Sequence, residues 1–164
     1  MTGKDAVAVA LKGTGSLLES YLSDLTDADL LVRPAPGANH TAWQLGHLIY
    51  SEQFLVKSQI EDARYPELPA GFGEKYTKET STSDSSQHFA TKAVYLDLFK
   101  KTREATLAAV AKLSDADLDR STKGPMAPFA PKLGAYLLLV SNHTLMHGGQ
   151  FTVVRRKLGK PVLF

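Results

Sequence analysis

The sequence has no cysteine, and several other features that would indicate a function are also missing. Without thiols there is no disulfide, no thiolate metal ligand and no cysteine nucleophile. The formal net charge of +2 is too small to argue for nucleic acid or an acidic membrane surface as a partner. No apolar run approaches the length of a membrane span, and the first residues do not resemble a secretion signal. We therefore expect a soluble, cytoplasmic protein.

What is present is an ordinary globular composition, with 43% hydrophobic and 22% charged residues. A length of 164 residues fits one domain, so we expect residues 1–164 to form a single domain. Apolar residues recur at helical spacing in four segments. This pattern predicts helices over about residues 4–24, 41–61, 85–113 and 133–158. Long connections rich in proline and glycine separate them, which favours an all-α four-helix bundle with crossover connections.

The connection over residues 62–84 is rich in proline, glycine, serine, threonine and charge, and we interpret it as a long surface loop. A loop of this length without structure of its own is often functional, for example as a lid. The simpler interpretation is a plain crossover between distant helix ends, and we favour it.

Two six-residue segments are similar, Leu25–Leu30 (LTDADL) and Leu113–Leu118 (LSDADL). Each follows a predicted helix and leads through a proline-rich loop into a helix that carries histidine. The parallel order favours two helix pairs related by a pseudo-repeat. The alternative is chance, because Ser/Thr-Asp-x-Asp is also common turn and cap chemistry.

The last predicted helix carries His143 and His147, whose spacing places both imidazoles on one helix face. That face is largely apolar, so we expect it to point into the bundle. Buried histidines are costly unless each ring nitrogen has a partner. A metal would satisfy one nitrogen of each, and a hydrogen-bonded structural pair is an equally good interpretation of these two alone. Thr144 stands where the zinc proteases have their glutamate, so that mechanism is excluded.

His47 changes the balance towards a metal. It lies on the second predicted helix, on a face that also carries Trp43, Tyr50 and Phe54. Three inward histidines from two helices, with a coordination position left open, are typical of a catalytic metal site. Imidazole donors suit Zn, Ni, Fe(II) and Cu(II), and the residues do not select among them. We predict His47, His143 and His147 as the ligands of a divalent ion.

Other polar side chains near these helices have weaker assignments. Gln150 follows on the same face as the paired histidines, and we expect it to hydrogen-bond a ligand, with a fourth ligand or a core polar residue as the alternatives. Tyr50 is placed to hydrogen-bond a bound water or substrate. Glu52 is rotated away from the site, so we do not expect it to act as a base. His40 is expected to cap a helix, and His88 to face solvent.

Two stretches carry a family resemblance. The segment Trp43–Leu48 (WQLGHL) with the nearby Ser51-Glu52, and the segment His143–Gln150 (HTLMHGGQ) leading into Arg155–Pro161, resemble the corresponding segments of the DinB/YfiT-like superfamily. The resemblance implies a four-helix bundle of unusual connectivity, a divalent metal (Zn, Ni or Fe) on the three histidines, and a homodimer. We expect the apolar residues 162–164 to pack on the bundle or on a second subunit.

The resemblance also implies a metal-dependent enzyme with a small-molecule substrate. Two chemistries are open, hydrolysis by a metal-activated water and transfer to a low-molecular-weight thiol that binds the metal as thiolate. The alternatives are a non-catalytic metal-binding or stress-response module, and a metal-free bundle with histidines in its core. Metal content and the response of the metal's spectrum to added thiol discriminate among these hypotheses.

Overall fold

A computed structural model describes residues 1–162, and over this range the protein is built from helices. They are α1 Gly3–Leu22, α2 Thr41–Gln59, α3 Lys92–Ala111, the short α4 Asp115–Leu118, and α5 Leu133–Lys157. The predicted all-α four-helix bundle is confirmed. No helix within residues 1–162 combines the length and apolar character needed to cross a membrane. The predicted packing of the apolar C-terminal tail concerns Leu163 and Phe164, which lie outside the described residues.

The four long helices form two parallel pairs. Helix α1 packs against α3 and α5, and α2 packs against the same two helices. One core cluster joins the later turns of α1 to the early turns of α2 and α3, and includes Leu22, Leu45 and Phe99. A second cluster joins the first turns of α1 to the last turns of α2 and α3, and includes Val7, Val56 and Val110. Helices α2 and α3 are therefore parallel to each other and antiparallel to α1.

This arrangement explains the long connection between α2 and α3. Parallel neighbours require the chain to return along the bundle, which for the 19 residues of α2 is about 28 Å. The favoured interpretation of residues 62–84 as a crossover agrees with this geometry. The segment is not only surface, however, because Phe72 and Tyr76 are buried in the core. Its side chains therefore help to fill the bundle that it crosses.

The predicted start of α3 directly after Asp84 is wrong, because the helix begins at Lys92. Ser83 and Asp84 are engaged elsewhere. Arg33 pairs with the Asp84 carboxylate at 2.6 Å and donates to the Ser83 carbonyl at 3.0 Å. Thr91 caps α3 instead, accepting from the backbone N–H of Val94. A good capping residue was present at both places, and tertiary contacts decided between them.

The two similar segments make the same local structure. In each one a Ser/Thr and an Asp three residues later exchange hydrogen bonds with each other's backbone N–H, as Thr26 and Asp29 do, and as Ser114 and Asp117 do. The second copy opens α4 within a stretch predicted as loop. Each copy precedes a connection between helices that do not lie side by side, α1 to α2 and α3 to α5.

Candidate metal centre

Three imidazoles from two helices converge near the α2–α5 contact. Nitrogen atoms of His47, His143 and His147 all lie within 4.8 Å of one another. The Nε2 atoms of His143 and His147 are 3.2 Å apart. The ring centroid of His47 lies 5.1 Å from the ring centroid of His143 and 5.6 Å from that of His147. The structure thus brings together the three histidines singled out from the sequence.

The donor set fits a divalent ion. Nitrogen ligands about 2.0–2.1 Å from a tetrahedral zinc lie about 3.3 Å apart. The Nε2 atoms of His143 and His147 are hydrogen-bonded to each other at 3.2 Å, a separation close to this value. The nitrogen of His47 has to approach by only about an ångström or two, a shift within reach of a side-chain rotation. Three imidazoles are a donor set that zinc, nickel and ferrous iron accept.

Gln44 fixes the tautomer of His147. The Nδ1 of His147 donates to the Gln44 Oε1 at 2.7 Å. The amide is oriented by its other end, because the Gln44 Nε2 donates to the Asn39 carbonyl at 2.8 Å. With the proton held on Nδ1, the Nε2 of His147 presents its lone pair to the centre of the site. Sequence reasoning missed Gln44, although it lies one helical turn before His47.

His47 is held by the crossover segment and by an indole ring. Its Nδ1 donates to the Tyr76 carbonyl at 3.4 Å, and the Trp43 ring stacks on it at 4.9 Å with an 8° interplanar angle. A Cβ at Gly46 would overlap the Tyr76 ring, so the glycine permits this close approach. The Ser51 hydroxyl lies 3.5 Å from the His47 Nε2. The rings of His147 and His47 are thus each oriented by a hydrogen bond from Nδ1 to an acceptor in the protein.

Burial keeps the cluster uncharged. Burial lowers the pKa of His143 to about 4, and the nearby His47 contributes in the same direction. Burial likewise lowers the pKa of His147 to about 3, with smaller contributions from His143 and His47. Burial also lowers the pKa of His47, which the hydrogen bond to the Tyr76 carbonyl opposes in part. At neutral pH all three rings are therefore uncharged, the state that metal binding requires.

Glu52 points away from the histidines, as expected, and pairs with Arg103 from α3. The two side chains are 3% and 5% exposed, and Arg103 donates to both carboxylate oxygens at 2.8–3.2 Å. Arg103 also donates to the Thr144 hydroxyl at 2.8 Å. Thr144 lies between the two histidines of α5, so this network supports the helix turn that carries them. One feature of the sequence could have indicated this buried pair: Arg103 follows the buried Phe99 by four positions and therefore shares its helix face.

The remaining residues singled out from the sequence have separate environments. Gln150 is exposed on α5, and the acceptor beside the last histidine is Gln44 instead. Tyr50 is 40% exposed and packs on Gly73, where a Cβ would overlap its ring. His40 caps α2 as predicted, since its Nδ1 accepts from the backbone N–H of Trp43 at 3.1 Å. His88 is exposed, also as predicted.

The predicted inward face of α2 is only partly buried. Trp43 is 5% exposed, but Tyr50 and Phe54 are 40% and 61% exposed. The helix buries a neighbouring stripe through Leu45, Ile49, Glu52 and Val56, and the aromatic stripe turns out of the bundle after His47. The histidine therefore stands where a buried face meets an exposed apolar one.

Comparisons with known proteins agree with this architecture. A model of the DinB superfamily matches residues 10–151. YfiT from Bacillus subtilis, described as a probable metal-dependent hydrolase with an unusual four-helix bundle topology, is 18% identical with a TM-score of 0.68. That match covers 96% of this chain and 89% of YfiT. A conserved protein from Enterococcus faecalis is 16% identical with a TM-score of 0.72, over 98% and 99% of the two chains. At these identities the likeness shows the fold, and no curated protein matches this chain.

Proposed function

This chain belongs to the DinB superfamily, and from that premise we propose that it is a metal-dependent hydrolase acting on a small molecule. The proposed ligands are His47, His143 and His147. The observation that carries the proposal is the convergence of three uncharged imidazoles whose nitrogens lie within 4.8 Å of one another. The description of YfiT as a probable metal-dependent hydrolase supports the same class of chemistry.

The donor set determines what a bound metal would contribute. Because the three ligands are neutral, a bound divalent ion would keep its full charge, and it would supply Lewis acidity and a water whose pKa is lowered to about 7. Zinc, nickel and iron(II) all suit this set, and we propose one of these as the native metal.

The residues around the histidines orient the imidazole rings and exclude water from them. Gln44 and the Tyr76 carbonyl hold protons on Nδ1 of the rings that they contact, which directs the Nε2 atoms to one point. The Trp43 ring covers one face of His47. The Ser51 hydroxyl lies 3.5 Å from the His47 Nε2, and we propose that the substrate approaches from this side. We propose Tyr50 and Gln150 as further groups that face the substrate.

Elemental analysis of the purified chain and its histidine variants tests the site. We expect about one metal per chain in the native protein, and loss of that metal in His47→Ala, His143→Ala and His147→Ala. His88→Ala is the matched control, because this histidine is exposed and far from the cluster in sequence, and it should keep the metal. Circular dichroism would verify that each variant is folded. Full metal content in folded His147→Ala would refute the proposed ligand set.

Activity assays then separate the possible chemistries. Turnover of neutral esters or amides by the metal-loaded protein, absent from the three histidine variants, is the result expected of a hydrolase. A change in the visible spectrum of cobalt- or nickel-loaded protein on addition of thiol would instead indicate a thiol-dependent transferase. A fully loaded protein with neither property would be a non-catalytic metal-binding module. The homodimer stays a prediction, which sedimentation velocity of the same sample checks.

A further inference from the structure

An apolar groove runs along the surface between α2 and α5 and ends at His143. We propose, building on the hydrolase function above, that this groove binds an uncharged apolar group of the substrate, aromatic or branched aliphatic. The polar, reacting part of the same molecule would then lie at the three histidines. The substrate class that follows is a neutral ester or amide with an apolar side.

The groove is formed by two helix faces and one connection. Helix α2 contributes Tyr50, Phe54 and Leu55, helix α5 contributes Leu139 and Met146, and the α4–α5 connection contributes Met126. It encloses a volume of about 540 Å³. Small-molecule sites in proteins span about 300–1,000 Å³ and are lined mainly by apolar side chains. The groove therefore has the size and lining of a ligand site.

Its apolar side chains are unusually open to water. Phe54 is 61% exposed, Met146 is 56% exposed and Tyr50 is 40% exposed. A contiguous apolar surface of this kind commonly marks a binding site, because covering it removes apolar area from water. The two methionines add adaptability, since an unbranched thioether can adjust to ligands of different shape.

The groove is continuous with the candidate metal centre. His143 forms part of its wall, and so does Ser51, whose hydroxyl lies 3.5 Å from the His47 Nε2. A molecule that fills the groove therefore places its end beside two of the three imidazoles. This continuity is the reason to assign the groove to the substrate, rather than to a second copy of the chain.

The lining also restricts what the group can be. Among residues 1–162, no Lys, Arg, Asp or Glu lines the groove, and its polar side chains are Ser51, Asn142, His143 and the Tyr50 hydroxyl. A carboxylate, phosphate or ammonium in the groove would lose its hydration without gaining an ionic partner. The bound group is therefore uncharged.

Methionine methyl NMR tests the groove directly. The chain has three methionines, of which Met126 and Met146 line the groove and Met1 does not. The full chain, labelled with ¹³C in the methionine methyl groups, would be titrated with 4-phenylbutan-1-ol, a neutral probe without a chelating group. We expect saturable shifts of the Met126 and Met146 signals, with the Met1 signal unmoved.

Two phenylalanine variants provide the matched comparison. Phe54→Ser removes an exposed ring from the groove, and we expect about a tenfold loss of probe affinity. Phe129→Ser makes the same change at a ring that is 77% exposed and does not line the groove, and should leave the affinity unchanged. Both positions are exposed enough for the variants to fold. Equal affinities in the two variants, or equal shifts of all three methyls, would overturn the proposal.

A second titration links the groove to the histidines. On the metal-loaded chain, 4-phenylbutanohydroxamate should bind about tenfold more tightly than acetohydroxamate, and Phe54→Ser should remove that advantage. No advantage of the longer compound would overturn the proposal. Failure of both hydroxamates beside selective binding of the alcohol would refute the metal site and leave the groove supported. Shifts of the groove methionines on dilution without probe would show an interface between two copies, which also overturns the proposal.

Discussion

The guanidinium of Arg103 and the carboxylate of Glu52 form an ion pair near the middle of the bundle, with a shortest distance of 2.8 Å and almost no exposed surface. Arg103 extends the contact to every long helix. Arg103 itself lies on α3, and its partner Glu52 lies on α2. The guanidinium also donates to the Leu11 carbonyl on α1 and to the Thr144 hydroxyl on α5. One charged side chain thus joins the helices that position the histidines.

Removal of one partner of this pair should be costly. Arg103→Met leaves the Glu52 carboxylate buried with Thr106 as its remaining donor, and we expect a loss of about 3–5 kcal/mol in the free energy of unfolding. The double variant Glu52→Leu/Arg103→Met should be more stable than the single one, because no uncompensated charge remains. Urea unfolding measures both.

The control for this prediction is an exposed ion pair on the same helix. Lys101 pairs with Asp97 at 2.7 Å, and both side chains are more than half exposed. Lys101→Met should cost less than about 1 kcal/mol. If Arg103→Met costs no more than this control, the buried pair does not stabilise the bundle as argued.

Gln44 should matter for metal affinity more than for folding. Gln44→Met removes the acceptor for the His147 Nδ1, and we expect metal affinity to fall about 10–100-fold. Gln53→Met is the matched control, because Gln53 is a buried glutamine on the same helix that bonds Thr102 instead of a histidine. Competition with a chromophoric chelator measures the affinities. Similar losses in the two variants would assign Gln44 a purely structural role.

Gly46 should not tolerate a methyl group. In Gly46→Ala the new Cβ would overlap the Tyr76 ring, so the crossover segment and its carbonyl contact to His47 must shift. We expect a loss of about 1–3 kcal/mol and weaker metal binding. Gly13→Ala, at a helical position with nothing within 4 Å, should instead stabilise by up to about 1 kcal/mol. Thermal unfolding compares the two, and unchanged stability of Gly46→Ala would contradict the packing described here.

Acid should weaken the cap of α2. Burial lowers the pKa of His40 from its ordinary value of 6.5, and the hydrogen bond between its ring and the Ser83 carbonyl opposes this shift in part. The Nδ1 accepts from the backbone N–H of Trp43, so protonation of this atom removes the cap. A histidine with a lowered folded pKa contributes stability that is complete above about pH 6.5 and is lost as pH falls through the folded value.

The variant His40→Asn isolates this contribution. Asparagine keeps a capping acceptor but does not titrate, so its stability should fall less between pH 7.5 and 5 than that of the native chain. The three site histidines titrate in both metal-free proteins, so the difference between the two curves reports His40. Parallel curves from urea unfolding at each pH would rule the cap out as a source of acid sensitivity.

Local patterns in the sequence predicted the helices and the histidine cluster well. Helix formation depends on the spacing of nearby residues, so α1, α2 and α5 begin and end within a few residues of the predicted bounds. The spacing of His143 and His147 fixes their shared face in the same way. The partner on α2 was inferred from its apolar neighbours, and the convergence of the rings agrees with that inference.

Features that depend on contacts between residues distant in sequence could not be predicted from local patterns. The start of α3 was decided by Arg33 and His40, which bind the Ser83 carbonyl from across the fold. The acceptor for His147 comes from α2, although a glutamine on α5 was the nearer candidate in sequence. The outward turn of Phe54 reflects which stripe of α2 the other helices cover. Each outcome is set by tertiary packing, which overrides local preference.

The distribution of the histidines along the chain has a consequence for biosynthesis. His47 lies on α2, whereas His143 and His147 lie on α5, roughly a hundred residues later in the chain. The three histidines cannot come together during synthesis until α5 has left the exit tunnel. Closing the long loop between α2 and α5 also costs conformational entropy, which only the packing of the bundle offsets. If the three histidines hold a metal as proposed, its binding should therefore follow the synthesis and packing of α5.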